Sequence, residues 1–263
     1  MENKMRCKNR RGALCCFLAV FVWGTIAHGY AFSNLTLSHD GMNEFFTGGS
    51  IGYFAMSVTE WKISIGRFME PLYLLLLKGG LATPWLTGIW ALLWISLILI
   101  VLSKLFDISS PLAAILAAGV LTVNLTVTAG AGGYMSDLDA DLFAAFLSAL
   151  SACFLLRSGK KRLFAVPCLI ISLGIYQLMV SVCLMTVLIY CFLSFLRGKN
   201  AKETVFKGLS SALLIAVSCG VYLLIAYLII ALSGFSPAET YNGLENVFHW
   251  GRDFFPFRAH SYL

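Results

Sequence analysis

Long apolar runs dominate the chain, and the polar residues gather between them. The first run, GALCCFLAVFVWGTIAHGYAF at 12–32, is close to the roughly 20 residues that cross the hydrocarbon core of a bilayer as a helix. Apolar and polar residues do not alternate within the runs, as they would in membrane-spanning strands. The pattern therefore predicts an all-α, polytopic transmembrane helical bundle. Hydropathy predicts seven spans, at 12–32, 84–106, 110–130, 140–156, 163–176, 177–196 and 208–232.

The fifth and sixth predicted spans are separated only by a predicted break. Residues 163–196 form one apolar run of 34 residues, which as a single helix would extend ~51 Å, far more than the hydrocarbon thickness. A break near GIYQ at 174–177 returns the basic loop RGKNAKETVFK to the cytoplasmic side. We therefore expect two short helices that meet at this tetrapeptide.

Composition supports the membrane assignment, and charge predicts the orientation. Hydrophobic residues make up 59% of the chain and charged residues 12%, whereas soluble domains have roughly one quarter charged residues. In the seven-span topology the inner segments contain 14 Lys and Arg residues and three acidic residues, and the outer segments contain five Lys and Arg residues and ten acidic residues. Because cations resist translocation, the N-terminus of this multi-pass membrane protein is predicted to be cytoplasmic. The net charge of +6 thus belongs to segments that flank the lipid bilayer, and no nucleic-acid partner is expected.

The topology divides the chain, 1–263, which is predicted to form a single integral membrane domain. Residues 1–11 are the basic cytoplasmic N-terminus, and an uncleaved anchor is favoured over a signal peptide because the next apolar run is long and lacks a small-x-small end. Residues 33–83 are predicted to form an extracytoplasmic loop, and residues 233–263 an extracytoplasmic tail. The segment MEPLYLLLL at 69–77 is too short to span and is expected to lie along the interface as a helix.

Several function classes lack their sequence motifs here. The eight cysteines lie in the basic N-terminus or within apolar runs, without a C-x-x-C pair, which indicates small buried residues rather than disulfides or zinc ligands. The histidines have no ligand spacing, so no metal site is assigned to them. Gly-rich phosphate loops, G-x-S-x-G and HExxH are absent from the sequence, and the predicted cytoplasmic loops are short. The chemistry is therefore expected in the outer segments.

Five features of the outer segments carry a family resemblance, namely Asp40, Trp61, GRF at 66–68, YMSDLDADLFA at 134–144 and GIYQ at 174–177. With these features in this order, the chain resembles the type-II glucosyltransferase family, which modifies bacterial O-antigens and cell-wall glycans. The resemblance implies a GT-C-like enzyme of many helical spans in the bacterial cytoplasmic membrane. It also implies a polyprenyl-phosphate-linked sugar donor and essential carboxylates in the first extracytoplasmic loop.

The chain departs from the pattern of that family at two places. The family usually has an adjacent acidic pair in the first loop, whereas here Asp40 stands between His39 and Gly41, and Glu44 is the nearest second acid. The sequence also ends at RAHSYL, 258–263, where family members continue through further spans. A truncated and inactive fragment is therefore one expectation for this chain.

The resemblance and the chemistry of glycosyl transfer together assign Asp40 and Glu44 as catalytic candidates. Asp40 could take the proton of the incoming hydroxyl at the interface, where partial desolvation favours a base, and its alternative role is to cap an interfacial helix. Arg67 is the candidate ligand of the donor phosphate because a guanidinium pairs with two oxygens at once, and Lys62 could assist it. Snorkelling to lipid headgroups is the alternative for Arg67 and the only role expected for Lys78.

The remaining substrate-binding candidates are Trp61, Asp137, Tyr176 and Gln177. Three acids, Asp137, Asp139 and Asp141, could hold a sugar hydroxyl or a divalent cation, but a solvated loop at the start of a helix is expected for at least two of them. Asp137 is preferred because it is furthest from the helix start. Gln177 could hydrogen-bond a sugar or satisfy backbone groups freed at the break. Trp61 and Tyr73 are expected to be interfacial anchors rather than sugar platforms.

The expected function is transfer of a hexose, most simply glucose, from polyprenyl phosphate to a surface glycan outside the cytoplasmic membrane. The alternatives are a multi-span transporter or flippase, and a non-catalytic or truncated membrane subunit. Ion-coupled transporters usually place ionisable residues near the midplane of their spans. The predicted spans are nearly free of charge, which argues against ion-coupled transport.

Overall fold

A computed structural model describes residues 2–34, 60–79, 83–157 and 159–235. Within these ranges the chain is helical and contains no strand. Short 3-10 turns precede the seventh and eighth helices, at Lys160–Phe164 and Gln177–Met179. The α-helices are α1 Glu2–Ser33, α2 Glu70–Lys78, α3 Pro84–Phe106, α4 Pro111–Thr122, α5 Leu125–Gly133, α6 Leu138–Leu155, α7 Ala165–Ile175, α8 Val180–Leu196 and α9 Ala201–Ser233.

Five helices in the described ranges are long and apolar enough to cross a membrane. They are Gly12–Ser33 of α1, α3, α6, Gln177–Leu196 and α9. The pair α4 and α5, bent by 43° at its break, qualifies as a sixth span if it is counted as one. The prediction of an all-helical, multi-pass bundle is therefore confirmed. The count of seven stays a prediction, because α7 has 11 residues and extends only ~17 Å.

The predicted break in the longest apolar run is present. The helix α7 ends at Ile175, and Tyr176 adopts an extended conformation with φ −150° and ψ 114°. A 3-10 turn at Gln177–Met179 then leads into α8. The polar groups of Tyr176 and Gln177 are thus presented at one end of two consecutive helices.

The helix α6 lies at the centre of the bundle, between α3 and α7, and also packs against α8. Small side chains allow the neighbouring backbones to approach closely. Four alanines of α6 are fully buried: Ala140, Ala144, Ala149 and Ala152. The hydroxyl of Ser172 in α7 donates to the Ala144 carbonyl at 2.7 Å, which ties the two helices by a buried polar contact. The position of α6 is therefore fixed from several sides.

The short helix α2 turns its polar side chains inward and most of its leucines outward. Glu70, Tyr73 and Lys78 are buried, whereas Leu75 and Leu76 are 64% and 70% exposed. The polar face packs beside the beginning of α6 and the end of α7. Outward leucines are the pattern of a helix that contacts lipid rather than water. The predicted helix in this segment is confirmed, and its place along the interface stays a prediction.

Candidate functional site

Residues 60–69 bring two cations to the start of α2. Residues 60–64 are helical, and the helix ends at Gly66, whose φ of +83° is left-handed and favours glycine. The Gly66 amide donates to the Ile63 carbonyl at 2.9 Å, and the Arg67 amide to the Lys62 carbonyl at 2.7 Å. These are the two bonds of a Schellman motif. The turn directs the side chains of Lys62 and Arg67 to the same residue, Glu70.

Lys62 is the centre of a buried ionic cluster. It is 4% exposed, and its ammonium donates to Glu70 Oε1 and, at 2.7 Å, to Asp137 Oδ1. The Arg67 Nη1 atom lies 3.6 Å from the second Glu70 oxygen, Oε2. We refer to Lys62, Arg67, Glu70 and Asp137 as the Lys62 cluster. It joins the 60–69 segment and α2 to the residue that immediately precedes α6.

Burial and charge act in opposite directions on the cluster. Burial disfavours the Lys62 ammonium, but Asp137 and Glu70 outweigh this effect, and the pKa of Lys62 is raised. Burial likewise opposes ionisation of Asp137, but the charge of Lys62 prevails and lowers its pKa. For Glu70, burial prevails over Lys62 and raises the pKa to about 8. Within the Lys62 cluster, the charges thus favour the ionised forms of Lys62 and Asp137, whereas burial moves the pKa of Glu70 toward neutral pH.

Lys78 is the centre of a second buried cluster. Its ammonium lies 2.7 Å from Asp139 Oδ1 and donates to the Ser136 carbonyl at 2.6 Å. Tyr73 donates its hydroxyl to Asp139 Oδ2 at 3.0 Å and accepts a hydrogen bond from the Trp94 indole at 2.9 Å. We refer to Tyr73, Lys78, Trp94 and Asp139 as the Lys78 cluster. It connects the C-terminal part of α2 to α3 and α6.

Three predictions about these polar residues are wrong. Lys78 does not snorkel, because its side chain is 2% exposed and is paired with Asp139. Tyr73 is not an interfacial anchor, because it is 4% exposed and hydrogen-bonds inside the protein. The acids at the start of α6 are not a solvated loop, because Asp139 is fully buried and Asp137 pairs with Lys62. The sequence alone predicts headgroups, the interface or water for these groups because it does not show their partners inside the protein.

Arg67 occupies the edge of the Lys62 cluster. Its guanidinium lies over the ring of Tyr176, 4.4 Å from the centroid, a distance suited to a cation–π contact. Its side chain is 17% exposed, whereas that of Lys62, the other cation of the cluster, is 6% exposed. The amide of Gln177 donates to the Ile65 carbonyl at 2.8 Å. Five of the predicted binding residues thus converge: Lys62, Arg67, Asp137, Tyr176 and Gln177.

The remaining predicted site residues are Trp61, which is described, and Asp40 and Glu44. Trp61 adjoins Lys62 in the chain and is 44% exposed. Asp40 and Glu44, the catalytic candidates, lie outside the described residues. Among the residues that are described, no group of three or more His, Cys, Asp or Glu is placed to hold a metal ion.

Sequence reasoning missed Glu70 as a member of the site, and it considered Asp141 but preferred Asp137. Glu70 had one signal, since an acid that opens an otherwise apolar helix needs a buried partner or water. The Asp141 Oδ1 atom is buried and has no hydrogen-bond partner within the described part of the chain. Three carboxyls and two cations therefore meet where α2 and α6 begin. This end of the bundle could bind an anionic headgroup at Arg67 and hydroxyl groups at the remaining carboxylate oxygens.

The comparisons with known proteins fit this chemistry. No curated protein and no solved structure matches the chain. The family model described as Glucosyl transferase GtrII matches residues 29–252. The match includes every site residue named above and confirms the resemblance inferred from the motifs. The chain therefore belongs to the GtrII glucosyl transferase family.

Proposed function

We propose that the chain transfers glucose from a polyprenyl-phosphate donor to a cell-surface glycan, on the extracytoplasmic side of the membrane. Family membership supplies the glucosyl transfer. The observation that supports a lipid-phosphate donor is Arg67, whose partly exposed guanidinium is held between Glu70 and Tyr176 at one end of an apolar bundle. The exposed leucines Leu75 and Leu76 belong to α2, the helix that begins three residues after Arg67. A phosphate on a lipid tail is complementary to this arrangement, because its anionic head can pair with the guanidinium and its apolar chain can contact the apolar bundle.

The departing phosphate needs a cation that stays charged, and Arg67 meets this need. The Arg67 guanidinium lies 3.6 Å from the Glu70 oxygen, longer than a normal charged hydrogen bond. Lys62 is paired with the side-chain carboxyl groups of Glu70 and Asp137 inside the protein. We therefore assign the phosphate to Arg67 and the support of the turn to Lys62. No step of this proposal requires a divalent cation.

The incoming glycan hydroxyl needs a base, and we assign this role to Asp40, with Glu44 as the second carboxylate of the same segment. The assignment comes from the family resemblance and from the position of Asp40 between the first span and the Lys62 cluster in the chain. Asp137 and Asp141 have carboxylate oxygens that could accept hydrogen bonds from sugar hydroxyls. Trp61 could contribute a ring face to the sugar.

Transfer of labelled glucose from synthetic polyprenyl phosphoglucose, in proteoliposomes with a lipid-linked glycan acceptor, tests the proposal. Asp40→Asn should leave the protein folded and reduce transfer at least about 100-fold, the usual contribution of a general base. Asp107→Asn is the matched control, because the Asp107 side chain is 79% exposed and lies at the end of α3. Transfer by Asp40→Asn at the control level would remove Asp40 from the mechanism.

The proposed sidedness has its own test. An epitope inserted beside Asp40 should be reached by antibody in intact spheroplasts without permeabilisation. An epitope that is reached only after permeabilisation would show that Asp40 faces the cytosol. The seven-span topology and the extracytoplasmic site would then both be wrong.

A further inference from the structure

The turn that carries Arg67 is held at its backbone by side chains from the break between α7 and α8 and from α9. The Gln177 amide donates to the Ile65 carbonyl at 2.8 Å, and the Tyr222 hydroxyl of α9 donates to the Gly66 carbonyl at 3.1 Å. The same Gln177 amide also donates to the Tyr222 oxygen at 3.0 Å. Tyr222 is 3% exposed. We refer to this arrangement of Gln177 and Tyr222 on the Gly66 turn as the clasp.

Further contacts keep the clasp and the turn in register. The ring of Phe68 stacks on the ring of Tyr222, with centroids 5.9 Å apart. The Met69 amide donates to the Gly174 carbonyl at the end of α7, at 2.8 Å. The peptides on both sides of Arg67 are therefore attached to the break between α7 and α8. Tyr176, the ring beneath the Arg67 guanidinium, belongs to that same break.

We infer that Gln177 and Tyr222 are positioning residues that fix the Gly66 turn and thereby aim Arg67 at the donor phosphate. The inference rests on the proposed function, since it needs Arg67 to bind that phosphate. The side-chain hydrogen bonds of Gln177 and Tyr222 go to the backbone of the turn and to each other, so the two residues act on the donor through Arg67. Gln177 accordingly serves the site through the Ile65 carbonyl and Tyr222 rather than as a sugar ligand.

Donor kinetics of Tyr222→Phe test the inference. This variant keeps the ring that stacks on Phe68 and removes only the hydroxyl, so the Gly66 carbonyl loses its donor and the Gln177 amide loses one of its two acceptors. We expect the donor KM to rise on the order of fivefold, the usual effect of losing a hydrogen bond, with a smaller fall in kcat because Arg67 also stabilises the departing phosphate. Tyr227→Phe is the matched control on the same helix, because Tyr227 is 67% exposed. An unchanged donor KM in Tyr222→Phe would overturn the inference.

A double-mutant cycle with Arg67→Ala shows whether the clasp acts through Arg67. If it does, adding Tyr222→Phe to Arg67→Ala causes no further rise in donor KM. An equal rise in both backgrounds would mean that Tyr222 acts elsewhere and would overturn the inference. Arg67→Ala with a parental donor KM would overturn the phosphate assignment in the proposed function, and the inference with it.

Hydrogen exchange of the turn gives a measurement that is independent of turnover. In Tyr222→Phe the amides of residues 66–69 should exchange faster than in the parent protein, and in Tyr227→Phe they should not. Gln177→Leu removes the hydrogen bond to the Ile65 carbonyl and should have the same effect on exchange. It replaces Tyr222→Phe in this experiment if that variant is poorly expressed. Unchanged exchange in both clasp variants would overturn the inference. This result does not depend on which sugar donor the protein uses.

Discussion

The buried pair of Lys78 and Asp139 should dominate the stability of the site. The two side chains are 2% and 0% exposed, and their charged atoms are 2.7 Å apart. Removal of one partner of such a pair leaves an uncompensated buried charge and costs ~3–5 kcal/mol. We therefore expect Lys78→Met and Asp139→Asn each to lower the free energy of unfolding by this amount. At ~2–4 °C per kcal/mol, the melting temperature should fall by ~6–20 °C.

The double variant separates charge pairing from general damage to the core. When both partners are replaced, no unpaired charge remains, so Lys78→Met with Asp139→Asn should be less destabilised than the sum of the single variants by at least ~2 kcal/mol. The exposed pair Arg197 and Asp107, 3.4 Å apart with side chains 48% and 79% exposed, supplies the control. Arg197→Met should cost only ~0–1 kcal/mol.

Unfolding by SDS titration in mixed micelles, followed by circular dichroism, measures these free energies under reversible conditions. Thermal stability of a fluorescent-protein fusion, followed by size-exclusion chromatography, gives the melting temperatures independently. Single variants within ~1 kcal/mol of the parent would show that Lys78 and Asp139 are hydrated. Strictly additive effects in the double variant would show that the two charges do not stabilise each other.

Three further substitutions probe the same end of the bundle. Burial raises the pKa of Glu70 from 4.5 to about 8, so its contribution to the free energy of unfolding is complete below pH 4.5 and is lost as the pH rises through 8. Glu70→Gln should therefore flatten the decline in melting temperature over this pH range, and an unchanged slope would contradict the prediction. Gly66→Ala should cost ~1–3 kcal/mol, since φ is +83° and the new Cβ would lie 2.7 Å from a tyrosine hydroxyl. Gly174→Ala should cost ~1–3 kcal/mol because its Cβ would lie 2.7 Å from a methionine side chain; Gly220→Ala, with nothing within 4 Å, is the control and should not destabilise.

The long apolar helices and the break between α7 and α8 could be predicted because they depend on local sequence, although the number of spans was not settled by it. An apolar run near 20 residues has few alternatives to a membrane helix, and the run at 163–196 exceeds one bilayer thickness. The helix at 70–78 was likewise predictable from a short apolar segment with a charge at each end. These elements require no knowledge of which residues meet in space.

The ion pairs could not be predicted, because their partners are far apart in sequence. In addition, a helix next to lipid turns its polar side chains toward the protein and its apolar side chains outward, the opposite of a helix in water. Lys62 and Asp137 are 75 positions apart, and nothing in either segment identifies the other. In water the leucines of α2 would face the core and Lys78 would face solvent. Next to lipid the apolar face needs no burial, so Glu70, Tyr73 and Lys78 turn inward instead. Hydropathy is the same for both orientations, which is why Lys78 was assigned to headgroups.

The depth of the charges in α6 bears on whether the chain transfers sugars or transports ions. Asp139 and Asp141 are the second and fourth residues of an 18-residue helix, so they lie within ~5 Å of its start, whereas its middle is ~13 Å away. Transporters coordinate ions near the midplane, where both membrane faces are accessible in turn. Charges this close to a helix end lie far from its middle, and the proposed function places the donor phosphate at this end of the bundle. We therefore expect proteoliposomes to transfer labelled glucose without any ion flux, and flux coupled to a proton or sodium gradient would contradict this argument.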